Sequence, residues 1–293
     1  MSLGNKKSNW FPGHMKLTKN LIKTSLKKVD LIINLIDARA PFSSMNFSIL
    51  KLVEQKPFVV FLTKADLADD VSTTIWLNHI KTKFGFFASA LSCKNSNQVE
   101  KSFNLACAHL KTIKSLKFGD NMIRIMVVGI SNVGKSTLIN SFSGSKKAKV
   151  ENRPGVTRAL QWIFLKNGVS LLDTPGVLPI EAQSDESQFA LQLIGAIKRE
   201  KIEVENLAIK LLNHLKEHNS EFFKRNFPEK LAFFSDAFEW LSEFARFKGM
   251  VLKGNEPDLF RASNFLVDGF QSGKFGRITL ELPDSFQEEG CSI

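Results

Sequence analysis

The residues from Gly129 to Thr137 have the spacing of a phosphate-binding loop, G-x-x-x-x-G-K-[ST]. They follow an apolar run at 123–128 and precede a helical pattern, so the predicted order is strand, loop, helix. The glycines allow backbone N–H groups to turn inward around an anion, and the N-terminus of the next helix reinforces this cradle. We predict that Lys135 reaches the β- and γ-phosphates and acts in catalysis. The predicted phosphate-binding residues are Asn132, Val133, Gly134, Lys135, Ser136 and Thr137.

A second group of residues suits a metal ion and the γ-phosphate. Asp173-Thr174-Pro175-Gly176 ends a predicted strand downstream of the loop. Asp173 and the Ser136 hydroxyl are predicted to hold Mg²⁺, and the Gly176 N–H is predicted to contact the γ-phosphate. Thr157 lies between the two motifs, in a loop expected to cross the active site, where a threonine can ligate Mg²⁺ and act in hydrolysis. The alternative for Thr157 is an ordinary turn residue.

Thr63-Lys64-Ala65-Asp66 departs by one residue from the Asn-Lys-x-Asp pattern that binds guanine. The Asp66 carboxylate can accept hydrogen bonds from the N1–H and exocyclic amine of guanine, a donor pair that adenine lacks. Lys64 is expected to lie along the base, and Thr63 to hold the loop less tightly than asparagine. Ser89-Ala90 is predicted to offer a backbone N–H to the base oxygen. This motif precedes the phosphate loop, whereas it follows in ordinary GTPases, so the motif order is circularly permuted.

Alternating strands and helices are predicted to position these motifs. A helix is expected from about Gln98 to Leu116, and Asn167-Gly168 between two apolar runs indicates a hairpin. This pattern predicts an α/β fold with a mostly parallel sheet covered on both faces, and each motif named above lies at the carboxyl end of a strand. The predicted strands are residues 31–36, 57–62, 84–88, 123–128, 160–165 and 169–172.

The pattern changes to helices beyond a polar stretch at 181–186. We therefore divide the chain into a basic leader and helix (1–30), a GTPase domain (31–182) and a smaller all-helical domain (183–293). Apolar residues at helical spacing between Leu17 and Val29 predict an amphipathic helix in the leader. Residues 276–281 alternate as an extended segment. The helices predicted in the C-terminal region are residues 187–198, 205–217, 231–247 and 258–270.

The net charge is unevenly distributed along the chain. Residues 1–184 contain 26 Lys+Arg and 11 Asp+Glu, a net charge of +15, and the remaining residues carry −4, which gives the total of +11. The segment from Lys6 to Lys28 contains seven lysines and no acidic residue. Such an excess favours a polyanionic partner through counterion release, so nucleic acid is the expected partner. A solubility role for the lysines is the alternative.

The composition also argues against several classes of protein. Three widely spaced cysteines form neither a disulfide framework nor a metal-binding cluster, which fits a reducing compartment. No apolar run approaches the ~20 residues needed to span a membrane, and the N-terminus lacks a signal-peptide core. We expect a cytoplasmic monomer, with an organellar matrix as the alternative location.

The chain resembles the circularly permuted ribosome-assembly GTPases of the YlqF/RbgA family. This resemblance implies a permuted Ras-like domain followed by a helical domain proposed to bind RNA. It also implies GTP binding and hydrolysis to GDP during late assembly of the large ribosomal subunit, with rRNA and ribosomal proteins as partners. The segments that carry it span nearly the whole chain: residues 10–15, 37–41, 63–66, 129–137, 154–157, 173–176 and 276–281.

The resemblance also implies two further roles. Val177 follows Gly176 where many GTPases have a water-positioning glutamine, and a valine side chain forms no hydrogen bond. His14 is the implied replacement, because a neutral imidazole can orient or deprotonate water; packing against the N-terminal helix is the alternative. Asn132 is implied to help bind K⁺ beside the phosphates, with an ordinary loop asparagine as the alternative.

Two other functions compete with ribosome assembly. A signalling or trafficking GTPase with a protein effector would need no basic excess, and no C-terminal lipidation motif is present. An RNA-binding scaffold with an inactive phosphate loop is disfavoured because Lys135, Ser136 and Asp173 are all retained.

Overall fold

The computed structural model describes residues 22–47, 50, 56–113, 123–142, 161–165, 169–174, 182, 184–218 and 236–283, without the side chains of residues 142, 161 and 201. Its central feature is a six-stranded sheet in the order β3-β2-β1-β4-β6-β5. The strands are β1 (Leu31–Asp37), β2 (Phe58–Thr63), β3 (Phe87–Ala90), β4 (Ile123–Gly129), β5 (Gln161–Leu165) and β6 (Val169–Asp173).

All neighbouring strands are parallel except β5 and β6, which form the predicted hairpin. The register brings the ends of the strands together: Asp37 on β1 is opposite Thr63 on β2, and Val127 on β4 is opposite Asp173 on β6. Because the carboxyl ends of parallel strands meet at one edge, the chemistry-bearing motifs lie along that edge. The predicted α/β fold with a mostly parallel sheet is confirmed.

Eight α-helices accompany the sheet within the described ranges. They are α1 (Pro41–Ser44), α2 (Asp70–Phe84), α3 (Ser96–Ile113), α4 (Lys135–Phe142), α5 (Asp185–Leu193), α6 (Val204–His218), α7 (Ala237–Phe247) and α8 (Leu259–Ser272). Carboxylates cap three of their N-termini: Asp69 accepts from Ser72 N, Asp236 from Glu239 N, and Asp258 from Arg261 N. Each such cap satisfies a backbone donor that has no partner within the helix.

Apolar side chains cover both faces of the sheet. All seven residues of β1 are buried, as expected for a central parallel strand. One face packs against α2 and against helical residues 22–26, where Ile22 and Leu26 are buried as the leader pattern predicted; Leu17 and Leu21 lie outside the described residues. The other face packs against α3 and α4, and the apolar cluster continues through α5 to α8. The helical region therefore shares a continuous core with the sheet.

Several predicted boundaries are wrong for identifiable reasons. The strand predicted at 84–88 is β3 at 87–90, because α2 continues to Phe84 and ends at Gly85, whose φ is +67°. The helix predicted to reach Lys198 ends at Leu193. Gly195 ends this helix because its φ is +78°, in the left-handed region. The Gly195 N–H then donates to Gln192 O, and the Ala196 N–H donates to Leu191 O.

Other differences are smaller. Helix α3 covers 96–113 rather than 98–116, although residues 114–116 lie outside the described ranges. In the C-terminal region, α6 and α8 match their predictions to within two residues, whereas α7 begins at Ala237, six residues after the predicted start, because Asp236 caps its N-terminus. Residues 276–281, predicted to be extended, form no strand of the sheet: Ile278 N donates to Leu67 O and Leu280 N to Arg39 O. None of the described helices has the length and apolar character to cross a bilayer.

Candidate functional site

The phosphate loop connects β4 to α4, as its sequence predicts. A Cβ on Gly129 would lie 2.9 Å from both Leu35 O and Val133 Cγ1, so only glycine allows this close approach. Gly134 has φ +99° and Asn132 φ +60°, which place both in the left-handed region. These residues bend the backbone into the turn that aims its N–H groups at the start of α4. The geometry is that of an anion cradle.

Lys135 and Asp173 form the charged centre of the site. Lys135 is only 8% exposed, and its Nζ has no hydrogen-bond partner among the described residues. Burial lowers the pKa of Lys135 to about 8, against the opposing attraction of Asp173. Burial also raises the pKa of Asp173, an effect that Lys135 partly offsets, and Asp173 Oδ1 lacks a partner in the described part of the chain. Because buried polar atoms are usually satisfied, these two groups fit a bound polyphosphate and a cation.

Ser136 and Thr137 begin the exposed face of α4, next to this centre. Thr174, the residue after Asp173, is fully buried and its hydroxyl donates to Val127 O at 2.8 Å. This bond fastens the end of β6 to β4 and therefore fixes Asp173 relative to the phosphate loop. The structure thus brings together the predicted residues Asn132 to Thr137 and Asp173.

The guanine loop leaves β2 beside the phosphate loop. Lys64 has φ +56°, in the left-handed region, and residues Ala65–Leu67 form a short 3₁₀ helix on which Asp66 is exposed. The Thr63 hydroxyl is fully buried and donates to Val133 O at 2.6 Å. Thr63 therefore joins the guanine loop directly to the phosphate loop, and the expectation that it holds this loop less tightly than asparagine stays a prediction.

A buried ion-pair network, which the sequence analysis did not predict, lies beneath Lys64. Asp37 is fully buried and accepts from Lys64 Nζ and from Arg39 Nη2, each at 2.9 Å. Burial alone would raise the pKa of Asp37, but Lys64 and Arg39 together lower it to about 2. Asp37 is therefore an anion at neutral pH, with a lysine of the guanine loop as one of its two counterions. The only available signal was an Asp-x-Arg at the end of a strand that is otherwise apolar except for Asn34.

The contact predicted from Ser89-Ala90 to the base oxygen stays a prediction. Ser89 and Ala90 lie inside β3, paired with Phe61 and Leu62, and Ser89 Oγ contacts Ser102 Oγ at 2.8 Å. Beyond the strand, Cys93 Sγ lies 3.5 Å from the position a Gly134 Cβ would take. Burial raises the pKa of the Cys93 thiol to about 12, with Lys64 lowering it and Asp66 raising it. The segment around Cys93 therefore lies between the two nucleotide-binding loops.

Comparisons with known proteins support this assignment of the site. A family model described as a 50S ribosome-binding GTPase matches residues 124–229, a span that begins after the guanine loop. Ribosome biogenesis GTPase A of Bacillus cereus is 35% identical over 294 residues, covering 96% of this chain and 95% of that protein. The chain belongs to the ribosome biogenesis GTPase A family. The family member from Thermotoga maritima is 32% identical over 276 residues, covering 94% of this chain and 95% of that protein.

A solved structure supports the same conclusion for the fold. GNP-bound YlqF from T. maritima matches with a TM-score of 0.63 and 29% identity, covering 92% of this chain and 99% of that chain. As a member of the ribosome biogenesis GTPase A family, the chain is a GTPase that binds guanine nucleotides. Three residues predicted to act in this GTPase, His14, Thr157 and Gly176, lie outside the described residues.

Asn132 joins the phosphate loop to the helical region. Its side-chain amide donates at 2.6 Å to the backbone oxygen of Gly195, the glycine that ends α5. The next link is Gln271 on α8, whose amide donates to Leu193 O at 2.9 Å. In this GTPase Asn132, the residue predicted to bind K⁺, therefore also contacts the C-terminal helical region.

Proposed function

We propose that this protein is a GTP-hydrolysing factor that acts on the precursor of the large ribosomal subunit late in assembly. The observation that carries the proposal is a pair of buried atoms without hydrogen-bond partners in the described part of the chain, Lys135 Nζ and Asp173 Oδ1, at the edge of the sheet beside a guanine loop. An inactive nucleotide fold has no need to keep these two groups buried without partners, because each costs folding free energy. Family membership supports the site of action, since the named relatives are ribosome biogenesis GTPases.

The residues around the phosphate loop also fit a magnesium ion. Asp173 offers an unpartnered carboxylate oxygen, and Ser136 is exposed at the first turn of α4. Hard oxygen ligands of this kind suit Mg²⁺, with Thr157 proposed as a third ligand. Bound there, the ion would neutralise charge on the phosphates. Lys135 supplies a second positive charge, because the negative phosphates of a bound nucleotide would keep its amine fully protonated.

We propose that the segment around Cys93 contributes the backbone contact to the guanine oxygen. Leu91 N donates to Leu62 O at 2.9 Å, and Leu91 O accepts from Ala65 N at 3.3 Å, so the chain after β3 is fastened to the guanine loop. Ser89 and Ala90, the residues predicted for this contact, directly precede this segment at the end of β3. Asp66 remains the proposed acceptor for the guanine N1–H and amine.

Hydrolysis is proposed to depend on His14 and on potassium. Val177 forms no hydrogen bond, so the attacking water needs another group, and His14 is the residue proposed to orient it. Asn132 is proposed to bind K⁺ beside the phosphates, which would compete with its contact to Gly195 O. Turnover should therefore be higher in KCl than in NaCl, and Asn132→Ala should remove most of that difference. Equal turnover in the two salts would remove potassium from the proposal.

Binding to ribosomal particles tests the site of action against the alternative of a signalling GTPase. The protein should co-sediment with precursors of the large subunit in the presence of a non-hydrolysable GTP analogue, and less with GDP. Mature small subunits serve as the control particle, and the protein should not co-sediment with them. Tight GTP binding without co-sedimentation at any salt concentration would favour a protein effector instead.

A further inference from the structure

Lys64 occupies a position that needs support from its surroundings. Its left-handed backbone, φ +56°, is uncommon for a residue with a side chain and is held only when neighbouring contacts favour it. The Thr63 hydroxyl holds one side of the residue against Val133 O. At the far end, Nζ is 2.9 Å from Asp37 Oδ2, and the side chain is 24% exposed. Lys64 is therefore held at its backbone end by the neighbouring Thr63 and at its ammonium end by Asp37, and its side chain remains partly open to solvent.

Asp37 is the anchor for the ammonium group, and its own orientation is fully determined. Its backbone N–H donates to Ser44 Oγ at 2.9 Å, and its Oδ1 accepts from Arg39 N and Arg39 Nε at 3.1 and 2.9 Å. Arg39 Nη2 donates to Oδ2 at 2.9 Å, on the same oxygen that binds Lys64. A bidentate guanidinium fixes the plane of a carboxylate, so Lys64 meets an acceptor that cannot rotate away.

Arg39 is held in turn by the C-terminal helical region. Its Nη1 donates to Gln271 O at 3.3 Å, one of the last carbonyls of α8, where the helix dipole favours a cation. The guanidinium carbon lies 5.2 Å from the centre of the Phe270 ring, and Arg39 O accepts from Leu280 N at 2.8 Å. Two contacts to the side chain and one to the backbone, all from residues more than two hundred positions away, therefore hold Arg39 in place.

We propose that Asp37 and Arg39 are positioning residues for the guanine site, which fasten Lys64 to the C-terminal end of α8. In this arrangement Lys64 presents its stem to the base only while Asp37 holds its ammonium group. The inference rests on guanine-nucleotide binding and not on action at the ribosome. Its experiment therefore measures binding of GDP by the protein alone, without ribosomal particles.

The test uses a variant that preserves shape while removing both buried charges, Asp37→Asn/Arg39→Gln. Changing both residues together avoids leaving one buried charge without its partner, which would cost more than losing the pair. We expect the Kd for GDP and for GTP to rise by the same factor, about 10-fold, as for loss of one charged hydrogen bond. At saturating GTP, kcat should stay within about 2-fold of wild type, because the base contacts are the same before and during hydrolysis.

A mutant cycle separates this role from a general structural one. Lys64→Met should raise the Kd for GDP by a similar factor, and the triple variant should bind no more weakly than Lys64→Met alone. The matched control is Asp70→Asn/Arg277→Gln, which removes an exposed ion pair between α2 and the same C-terminal segment and should leave the Kd unchanged. If the buried double variant fails to fold, Arg39→Lys replaces it. This variant should give a smaller rise in Kd, and it should add no further rise when Lys64→Met is already present.

Three outcomes overturn the inference. A folded double variant that binds GDP as tightly as wild type removes the positioning role. Losses that multiply in the triple variant, to about 100-fold, mean that Asp37 does not act through Lys64. A fall in kcat of the same size as the fall in kcat/KM places the effect in the chemical step instead. Failure of the wild-type protein to bind GDP would refute guanine-nucleotide binding itself, which distinguishes the two conclusions.

Discussion

Replacing Lys135 with methionine should abolish nucleotide binding and also stabilise the nucleotide-free protein. Lys135 is 8% exposed, and its buried ammonium group has no hydrogen-bond partner in the described residues. Burial lowers the pKa of Lys135 from 10.5 to about 8, even with Asp173 nearby. At ~1.4 kcal/mol per pH unit, this difference corresponds to roughly 3 kcal/mol of unfolding free energy at pH 7, as an upper bound.

The sign and pH range of this effect follow from linkage. The pKa of Lys135 in the folded protein lies below its ordinary value, so the cost of burying the charge is complete below about pH 8. It declines as the pH rises from about 8 towards 10.5, because the folded protein then carries the neutral amine. The gain from Lys135→Met should therefore be largest at pH 7 and small at pH values near 10.

Urea unfolding in the absence of nucleotide measures the predicted gain, with each variant compared to wild type at the same pH. Fluorescent GDP binding measures the predicted loss. Lys101→Met, at an exposed position on α3, is the matched control and should change neither quantity. Reduced stability at pH 7, or a gain that is the same at both pH values, would refute the interpretation of Lys135 as a buried, unsatisfied charge.

Three further predictions concern other parts of the molecule. Burial raises the pKa of Glu281 to about 7, so thermal stability should fall as the pH rises from about 4.5 to 7, where the unfolded chain has lost that proton and the folded protein still holds it. Glu281→Gln should flatten this fall, and an unchanged pH profile would contradict the prediction. His14→Ala should keep GDP affinity but lose roughly 100-fold in turnover stimulated by ribosomal particles, and unchanged stimulated kcat would exclude the catalytic role. Replacing Lys16, Lys19, Lys23 and Lys27 with glutamate should weaken co-sedimentation with large subunits more than four such changes in the helical domain, in line with the charge distribution. The opposite ranking at matched salt would place the rRNA contact on the helices.

Local patterns predicted the parts of the fold that depend on local physics. Buried strands appear as apolar runs, and the phosphate loop is recognisable because its glycines must stand at fixed positions around an anion. Helix ends were less predictable where a single left-handed glycine decides them. Gly195, two residues after the last residue of α5, ends that helix, although apolar periodicity continues past it through Ala196 and Ile197.

Contacts between distant residues were not predictable from one sequence. Arg39 and Gln271 are separated by 232 positions, and Thr63 and Val133 by 70. Nothing in the local pattern distinguishes a threonine that anchors two loops from one that loosens a motif. In the same way, Asp37 and Arg39 look like polar residues after a strand until the fold buries both beneath Lys64.

The most direct test of the proposed function is the rate of GTP hydrolysis by the wild-type protein, measured in KCl with increasing concentrations of large ribosomal subunits. We predict a saturable rise in kcat of roughly 100-fold, because the particle would hold His14, the residue proposed to orient the attacking water, at the γ-phosphate. A rate that is independent of large subunits at every concentration would contradict it.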